Sequence, residues 1–535
     1  MRGFRMSKRR LLNQRDSHGF VRWLVAISLT LFVSMGFLGQ WAVAGLTLSK
    51  AAERGKIVFE KECVVCHGES GKGNGTAAYL LYPKPRDFTL GSFKVRSTPS
   101  GEPPTDEDIF NTISVGMPGS AMPAFPAIPE EDRRALVQYL KVLAEIDYEP
   151  ERIITVPAES PLTAETPLLG KELYDKLKCW ECHGENGDGF GPSRATLKDD
   201  KGYPAPANDF TRGIYKGGGK NSDIYLRFTT GMDSSPMPSY EDSANEEERW
   251  ALVQYVKSLA GPKAARQPGT GVLSAHEVKG NVTTDPNAAI WAQAEALEIP
   301  LMALWQKNNV LESVKVKAVH NGKEIALLLE WDDPEPAGRF TRHQDYSDGA
   351  AVMFPLVDEP PLFTMGAKDE PVNIWYWRMD RQLDLSKFQD MEDTYPGMVA
   401  DDYQFASGYY PKDIEKPGHT PIASSTQDPT FVTGWGAGNY ASNPDKQSAV
   451  EDLYAEGFGT LTSQGAEGQN VQGQGLWMNG SWKVCFVRKL KSGGSADINL
   501  DRSKKVPIAF AVWDGNAADR DGQKAVTTWY ELDWK

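Results

Sequence analysis

Apolar residues recur at helical spacing in Ala135-Leu136-Val137-Gln138-Tyr139 and again in Ala251-Leu252-Val253-Gln254-Tyr255. Acids stand just ahead of each run, Glu130, Glu131 and Asp132 in one and Glu246, Glu247 and Glu248 in the other, where a helix N-terminus favours them. Each of these closing helices follows an earlier helical pattern, Thr105 to Val115 and Asn221 to Thr230. Further upstream an amphipathic helix begins near Gly55-Lys56 in one copy and Gly170-Lys171 in the other. After about residue 286 the period changes to short strand-like runs: Val314–Val319, Glu324–Trp331, Ala350–Phe354, Val372–Arg378, Trp482–Leu490 and Val506–Trp513. Turns rich in Gly, Asp and Pro separate them, which predicts an antiparallel β-sandwich. Between about Gln389 and Gly475 regular pattern is lost, and an extended loop region is expected. The fold class is thus multidomain, two all-α modules followed by an all-β domain. The expected boundaries are 1–49 for a signal peptide or membrane anchor, 50–145 and 166–262 for the modules, 146–165 and 263–285 for proline-containing linkers, and 286–535 for the β domain.

Both α modules carry the same motif, Cys63-Val64-Val65-Cys66-His67 and Cys179-Trp180-Glu181-Cys182-His183. Cys-x-x-Cys-His is the attachment pattern of c-type haem. Two thiols on one helical turn can each add to a haem vinyl group, and the following imidazole then stands under the iron. A zinc site would need a second ligand pair, and Cys485 is the one remaining cysteine. A glycine-rich turn follows each motif, Gly68 to Gly75 and Gly184 to Gly191, and lets backbone pass close to a flat cofactor. Then come Pro85-Arg86-Asp87-Phe88-Thr89 and Pro206-Ala207-Asn208-Asp209-Phe210-Thr211, whose shared Asp-Phe-Thr core predicts a loop packed on the haem edge.

The two segments resemble class I cytochrome c domains over nearly their whole length. The resemblance implies a distal ligand from the Met-Pro-aromatic loop before the last helix, here Met122 and Met237, with Met117 and Met232 as competitors in the same loops. A Met/His pair raises the haem potential and leaves no open coordination position, which implies electron transfer.

Four phrases of the second half carry another resemblance: Ser347-Asp348-Gly349 to Pro355, Val372-Asn373-Ile374-Trp375-Tyr376-Trp377, Gly480-Ser481-Trp482-Lys483-Val484, and Ala511-Val512-Trp513-Asp514-Gly515 continuing to Asp521-Gly522-Gln523-Lys524. They are similar to the haem b domain of the gamma subunits of ethylbenzene dehydrogenase, dimethylsulfide dehydrogenase, selenate reductase and chlorate reductase. The resemblance implies one non-covalent haem b held by Met353 and Lys524. It also implies partners: the iron–sulfur and molybdopterin subunits of an oxidoreductase, and a soluble or membrane redox carrier. His343 and His320 are the rival ligands. Cys485, within Val484-Cys485-Phe486-Val487, reads as a buried inert thiol.

The formal net charge of −14 is set by the body of the chain, because residues 1–22 are strongly basic. An acidic body argues against nucleic acid as a partner. The basic stretch precedes an uncharged run from Trp23 to Ser49 with Ala42-Val43-Ala44 as a cleavage-like site. The run is also long enough to span a bilayer, which takes roughly 20 residues. Either a cleaved signal or an anchor over residues 23–45 places the body in the periplasm, the anchor adding membrane contact. Three functions are weighed: an electron-transfer subunit with two haem c and one haem b, a peroxidase-like dihaem enzyme, and a dihaem cytochrome with a haem-free, ligand-binding sandwich. The chain offers no nucleophile, acid–base pair or open metal position, so no substrate chemistry of its own is expected.

Overall fold

The computed structural model describes residues 48–261, 271–307, 310–362, 364–387, 389, 391–397, 443 and 446–535. The expected signal or anchor lies outside these residues. Among the described residues no helix is long and apolar enough to cross a membrane.

The N-terminal region is helical and built twice. In the first module the helices are α1 (Lys50–Glu62), the short α2 (Val64–His67), α3 (Asp106–Val115) and α4 (Glu130–Leu143); in the second they are α5 (Thr166–Lys176), α6 (Trp180–His183), α7 (Asn221–Thr230) and α8 (Glu246–Ser258). Their starts are chemically fixed. Thr105 and Asp108 form a reciprocal capping box ahead of α3, as Asn245 and Glu248 do ahead of α8. α1 crosses α4 at Gly55, where a Cβ would lie 2.1 Å from the carbonyl oxygen of Ala135. α5 crosses α8 at Gly170, where a Cβ would lie 2.2 Å from that of Ala251. Glycine is needed there because backbone meets backbone. Phe59, Leu136 and Leu140 fill the first core, and Tyr174, Leu252 and Val256 the second.

The C-terminal region is one large mixed sheet. Its strands are β1 (Val272–Glu277), β2 (Leu297–Pro300), β3 (Met302–Ala303), β4 (Ser313–His320), β5 (Glu324–Asp332), β6 (Gly349–Pro355), β7 (Val372–Arg378), β8 (Val450–Ala455), β9 (Thr462–Ser463), β10 (Gln472–Met478), β11 (Ser481–Lys489), β12 (Val506–Trp513), β13 (Ala525–Val526) and β14 (Tyr530–Trp534). The hydrogen-bonded path runs β10-β11-β5-β4-β1-β14-β12-β6-β7-β8-β9. Two expectations change here. The sheet is not purely antiparallel, because β1 runs parallel to both its neighbours, β14 and β4. The stretch expected as a linker over 263–285 also gives residues 272–277 to the middle of the sheet. Leu273 and Ala275 alternate into the core there, a signal too short to separate from the surrounding Gly and Pro. The expected loop region of 389–475 likewise contains β8, paired with β7, and the start of β10. Trp331, Trp377 and Trp482, from β5, β7 and β11, pack ring against ring, with centroids 4.9–6.4 Å apart.

The modules and the sheet are bound to one another. Tyr82 exchanges backbone hydrogen bonds with Leu304 and Gln306 at 3.0 and 2.8 Å and lays its ring on Trp305. Ala77 and Leu81 share an apolar cluster with Met302, Leu304 and Val526. Arg212 of the second module grips Glu312 bidentately at 2.6 and 3.0 Å. Between the modules, the buried Arg96 donates to Thr230 O at 2.7 Å and Asp233 Oδ1 at 2.8 Å. The stretch 146–165, expected as a stiff linker, is tied down by Ile154 to Ser97 O and by Arg152 to Glu241.

Candidate functional site

The first module folds Cys63, Cys66, His67 and Met122 around one cleft, with Phe59, Phe88, Ile109, Ile113, Met117 and Leu136 on its apolar walls. The second repeats this with Cys179, Cys182, His183 and Met237, walled by Tyr174, Phe210, Ile224, Phe228, Met232 and Val256. Both predicted methionines and both competitors line their clefts. Within each loop the earlier Met donates its backbone N–H to the later one's carbonyl, Met117 to Met122 at 3.0 Å and Met232 to Met237 at 3.1 Å.

The imidazoles are oriented by the Asp-Phe-Thr loop. His67 Nδ1 donates to the Arg86 carbonyl at 2.9 Å and His183 Nδ1 to that of Asn208 at 3.0 Å. A carbonyl only accepts, so Nδ1 carries the proton and Nε2 keeps the lone pair a metal requires. Burial lowers both rings' pKa, that of His67 to about 4, so both are neutral at pH 7. Phe88 stacks on His67 with centroids 4.5 Å apart, and Phe210 on His183 at 4.4 Å. Asp87 and Asp209 hold the loop by accepting from the N–H and hydroxyl of Thr89 and Thr211. The loop therefore orients the imidazole, and through Phe88 and Phe210 it also lines the cleft.

The donor set fits haem c better than zinc. Burial pushes Cys63 up to about 12 and Cys66 and Cys179 up to about 11, and raises Cys182. Zinc thiolates need the opposite, a lowered pKa, whereas a neutral thioether suits these apolar positions. Among the described residues, the one cluster able to hold a metal by His, Cys, Asp or Glu is Asp333, Asp348 and Asp514, far in sequence from either motif.

A third cavity, of about 650 Å³, lies against the sheet and falls within the range of about 300–1,000 Å³ typical of cofactor sites. Met353 on β6 and Lys524 in the turn before β13 both line it. Each is 9 % exposed. Lys524 Nζ stands 4.8 Å from the Trp513 ring centroid and 3.3 Å from Met365 Sδ. Burial lowers its pKa to about 8. Sequence reasoning missed Met365, whose φ of +66° turns it into this cavity, and the guanidinium-bearing Arg378 and Arg520 on the wall. None of these carries a motif. The rival histidines do not line the cavity: His320 sits in β4 against the Trp534 ring, and His343 engages Arg520 through its backbone carbonyl. Cys485 is wholly buried in β11.

Comparison with known proteins follows this division. The cytochrome c family matches residues 52–144 and 168–260, and the ethylbenzene dehydrogenase family matches residues 288–525. The chain is 23% identical over 281 residues to the chlorate reductase subunit gamma of Ideonella dechloratans, covering 51% of this chain and 87% of that protein. It is 23% identical over 261 residues to the dimethylsulfide dehydrogenase subunit gamma of Rhodovulum sulfidophilum, covering 47% and 73%. A solved chain of the Kuenenia stuttgartiensis reducing HAO-like protein complex is 47% identical, covering 39% of this chain and 96% of that one, with a TM-score of 0.38. With two cytochrome c segments ahead of an ethylbenzene-dehydrogenase-type segment, the chain has the architecture of cytochrome c domains joined to a domain like the gamma subunits of these oxidoreductases.

Proposed function

We propose that the chain is the exported electron-relay subunit of an oxidoreductase, with two covalent haem c groups and one haem b set in the order β cavity, first cleft, second cleft. Bound haem supplies one-electron carriage; the chain supplies position, ligands and exclusion of water. In this reading Cys63, Cys66, His67 and Met122 hold the first group, and Cys179, Cys182, His183 and Met237 the second. Met353 and Lys524 hold the third, within a sheet that closes as a β-sandwich. A ligating lysine must be neutral, and the burial that already depresses Lys524 favours that form. The modules span 50–145 and 166–262, and the β domain runs from β1, at residue 272, to 535. Residues 1–49 act as the export signal or, over 23–45, as a membrane anchor.

The observation that carries the reading is the sharing of walls. Tyr79 and Leu80 line the β cavity and the adjacent Leu81 lines the first cleft, so one turn of chain separates them. The two clefts share Pro83, Lys94, Asp199 and Lys216. No described residue of the second module lines the β cavity. The first module is therefore the middle station. By analogy with the named gamma subunits, iron–sulfur and molybdopterin subunits dock on the β domain, and a soluble or membrane carrier meets the second module. Pulse radiolysis of the full chain tests the order. Cys63→Ser with Cys66→Ser should abolish fast electron redistribution between the β-domain and second-module centres. Unchanged redistribution would refute it.

A further inference from the structure

Lys94 and Lys216 occupy the same place in the two modules. Each lies six residues beyond the Phe of its Asp-Phe-Thr loop and directly follows an aromatic residue, Phe93 or Tyr215. That aromatic stacks on the Phe, at 6.1 Å in one module and 6.2 Å in the other, and the Phe stacks on the motif histidine. The repeat thus fixes each lysine relative to its own imidazole. The packing of the modules adds something a single module lacks: each lysine lines both clefts. The backbone there is clamped from the second module by Arg227, which donates to the carbonyls of Lys94 and Arg96.

Among the described residues, neither ammonium has a partner: Nζ of Lys94 and Nζ of Lys216 make no hydrogen bond and no ion pair within 4.0 Å. Asp199 and Asp200 act on Lys94 through their charges without an ion pair, and both engage other groups. Asp199 accepts from the backbone of Lys201 and Tyr203, and Asp200 pairs with Arg86 at 3.5 Å. Burial lowers both lysines, Lys216 to about 8, and the charge of Lys94 opposes that of Lys216. Two like charges held together in a half-buried wall are unfavourable by themselves and call for an anion between them.

On the haem c reading of both modules, we infer that Lys94 and Lys216 form one cationic bridge that binds propionate carboxylates of the groups in both clefts, so that each lysine sets the potential of both centres. They are positioning residues, touching the cofactors' carboxylates and not the iron. A cation beside a haem favours the reduced form, which carries one positive charge fewer. Removing it should favour the oxidised form, and here in two modules at once.

The test is spectroelectrochemical titration of the full haem-loaded chain and its Lys94→Gln, Lys216→Gln, Lys94→Arg and Lys216→Arg variants, with Lys72→Gln as a control that lines neither cleft. Each Gln variant should shift both c centres toward oxidation by roughly three- to tenfold in equilibrium constant, tenfold being ~59 mV for one electron. Each Arg variant should restore the wild-type potentials, and Lys72→Gln should leave them unmoved. A Gln variant that moves only its own module's centre, or neither, overturns the bridge while leaving the haem reading intact. A chain that retains no haem after acid–acetone extraction overturns both.

Discussion

Replacing Gly55 by Ala tests the module fold where its tolerance is smallest. The added Cβ would lie 2.1 Å from Ala135 O, 2.6 Å from Ala135 C and 2.9 Å from Leu136 N. All three are backbone atoms of α4, so no side chain can swing away and the helices must part by more than about 1.3 Å to reach van der Waals contact. Parting loosens the packing of Phe59 and Leu136, both essentially without exposure. Overpacking of this kind costs about 1–3 kcal/mol and more where backbone must move. Alanine returns about 1 kcal/mol through its better helix propensity. The geometry exceeds the ordinary overpacking case, so the first module should lose about 2 kcal/mol net. Gly170→Ala should behave alike in the second module, where the added carbon would lie 2.2 Å from Ala251 O and 2.6 Å from Tyr255 Cβ. With a urea slope of about 2 kcal/mol/M, the midpoint should fall by ~1 M. Urea unfolding followed in the Soret band of the affected module reads this directly. Gly493→Ala is the control, since nothing lies within 4 Å of its Cβ position, and it should stay within about 0.5 kcal/mol of wild type. Wild-type stability in Gly55→Ala and Gly170→Ala would refute the close crossing of the helices.

Other outcomes follow from the same structure. Burial, reinforced by the charge of Asp348, raises Asp333 to about 7, and burial raises Asp348 to about 6, from an ordinary 3.8. The folded protein then keeps protons that the unfolded chain releases, so the stability these two groups contribute is full below about pH 4 and is lost as pH rises through about 6 to 7. Urea midpoints from pH 4 to pH 8 should show this decline, and Asp333→Asn should flatten it; a midpoint rising with pH would contradict the burial. Met122→Ala and Met237→Ala should open an iron coordination position and make the reduced protein bind carbon monoxide, seen in a difference spectrum. Met117→Ala and Met232→Ala should not.

The helices were legible because their ends are written locally. The acids in the first turns of α4 and α8 mark their starts, and the observed elements over Asp106–Val115 and Asn221–Thr230 fall where the apolar period places them. β7 and β12 match their predicted ranges because their runs are long, apolar and aromatic or β-branched. The strands that escaped prediction depend on distant partners. β8 opens Val450-Glu451-Asp452, which reads as polar turn. Yet Asp452 is fully buried and accepts from Asn373 and Gln464, the first of them 79 residues away. β10 carries Gly473 and Gly475, which read as breakers, but a Cβ at Gly475 would strike the Trp377 ring at 2.3 Å. There glycine marks close approach inside a sheet. β1 joins the sheet by parallel pairing with strands at positions 313–320 and 530–534, which no local pattern reports. The same division holds at the sites. The Cys-x-x-Cys-His motifs and the methionine loops were visible as repeats, whereas Met365 and the facing of Lys94 on Lys216 exist only once the chain is folded.

The proposed relay requires three redox groups on one chain, two covalent and one held by the β domain. Reduced pyridine haemochrome spectra before and after acid–acetone extraction test it most directly, since extraction removes non-covalent haem and leaves thioether-bound haem. Two retained haems and one extractable haem per chain are expected, the latter lost in Met353→Ala and in Lys524→Ala. Two retained haems with none extractable would contradict it.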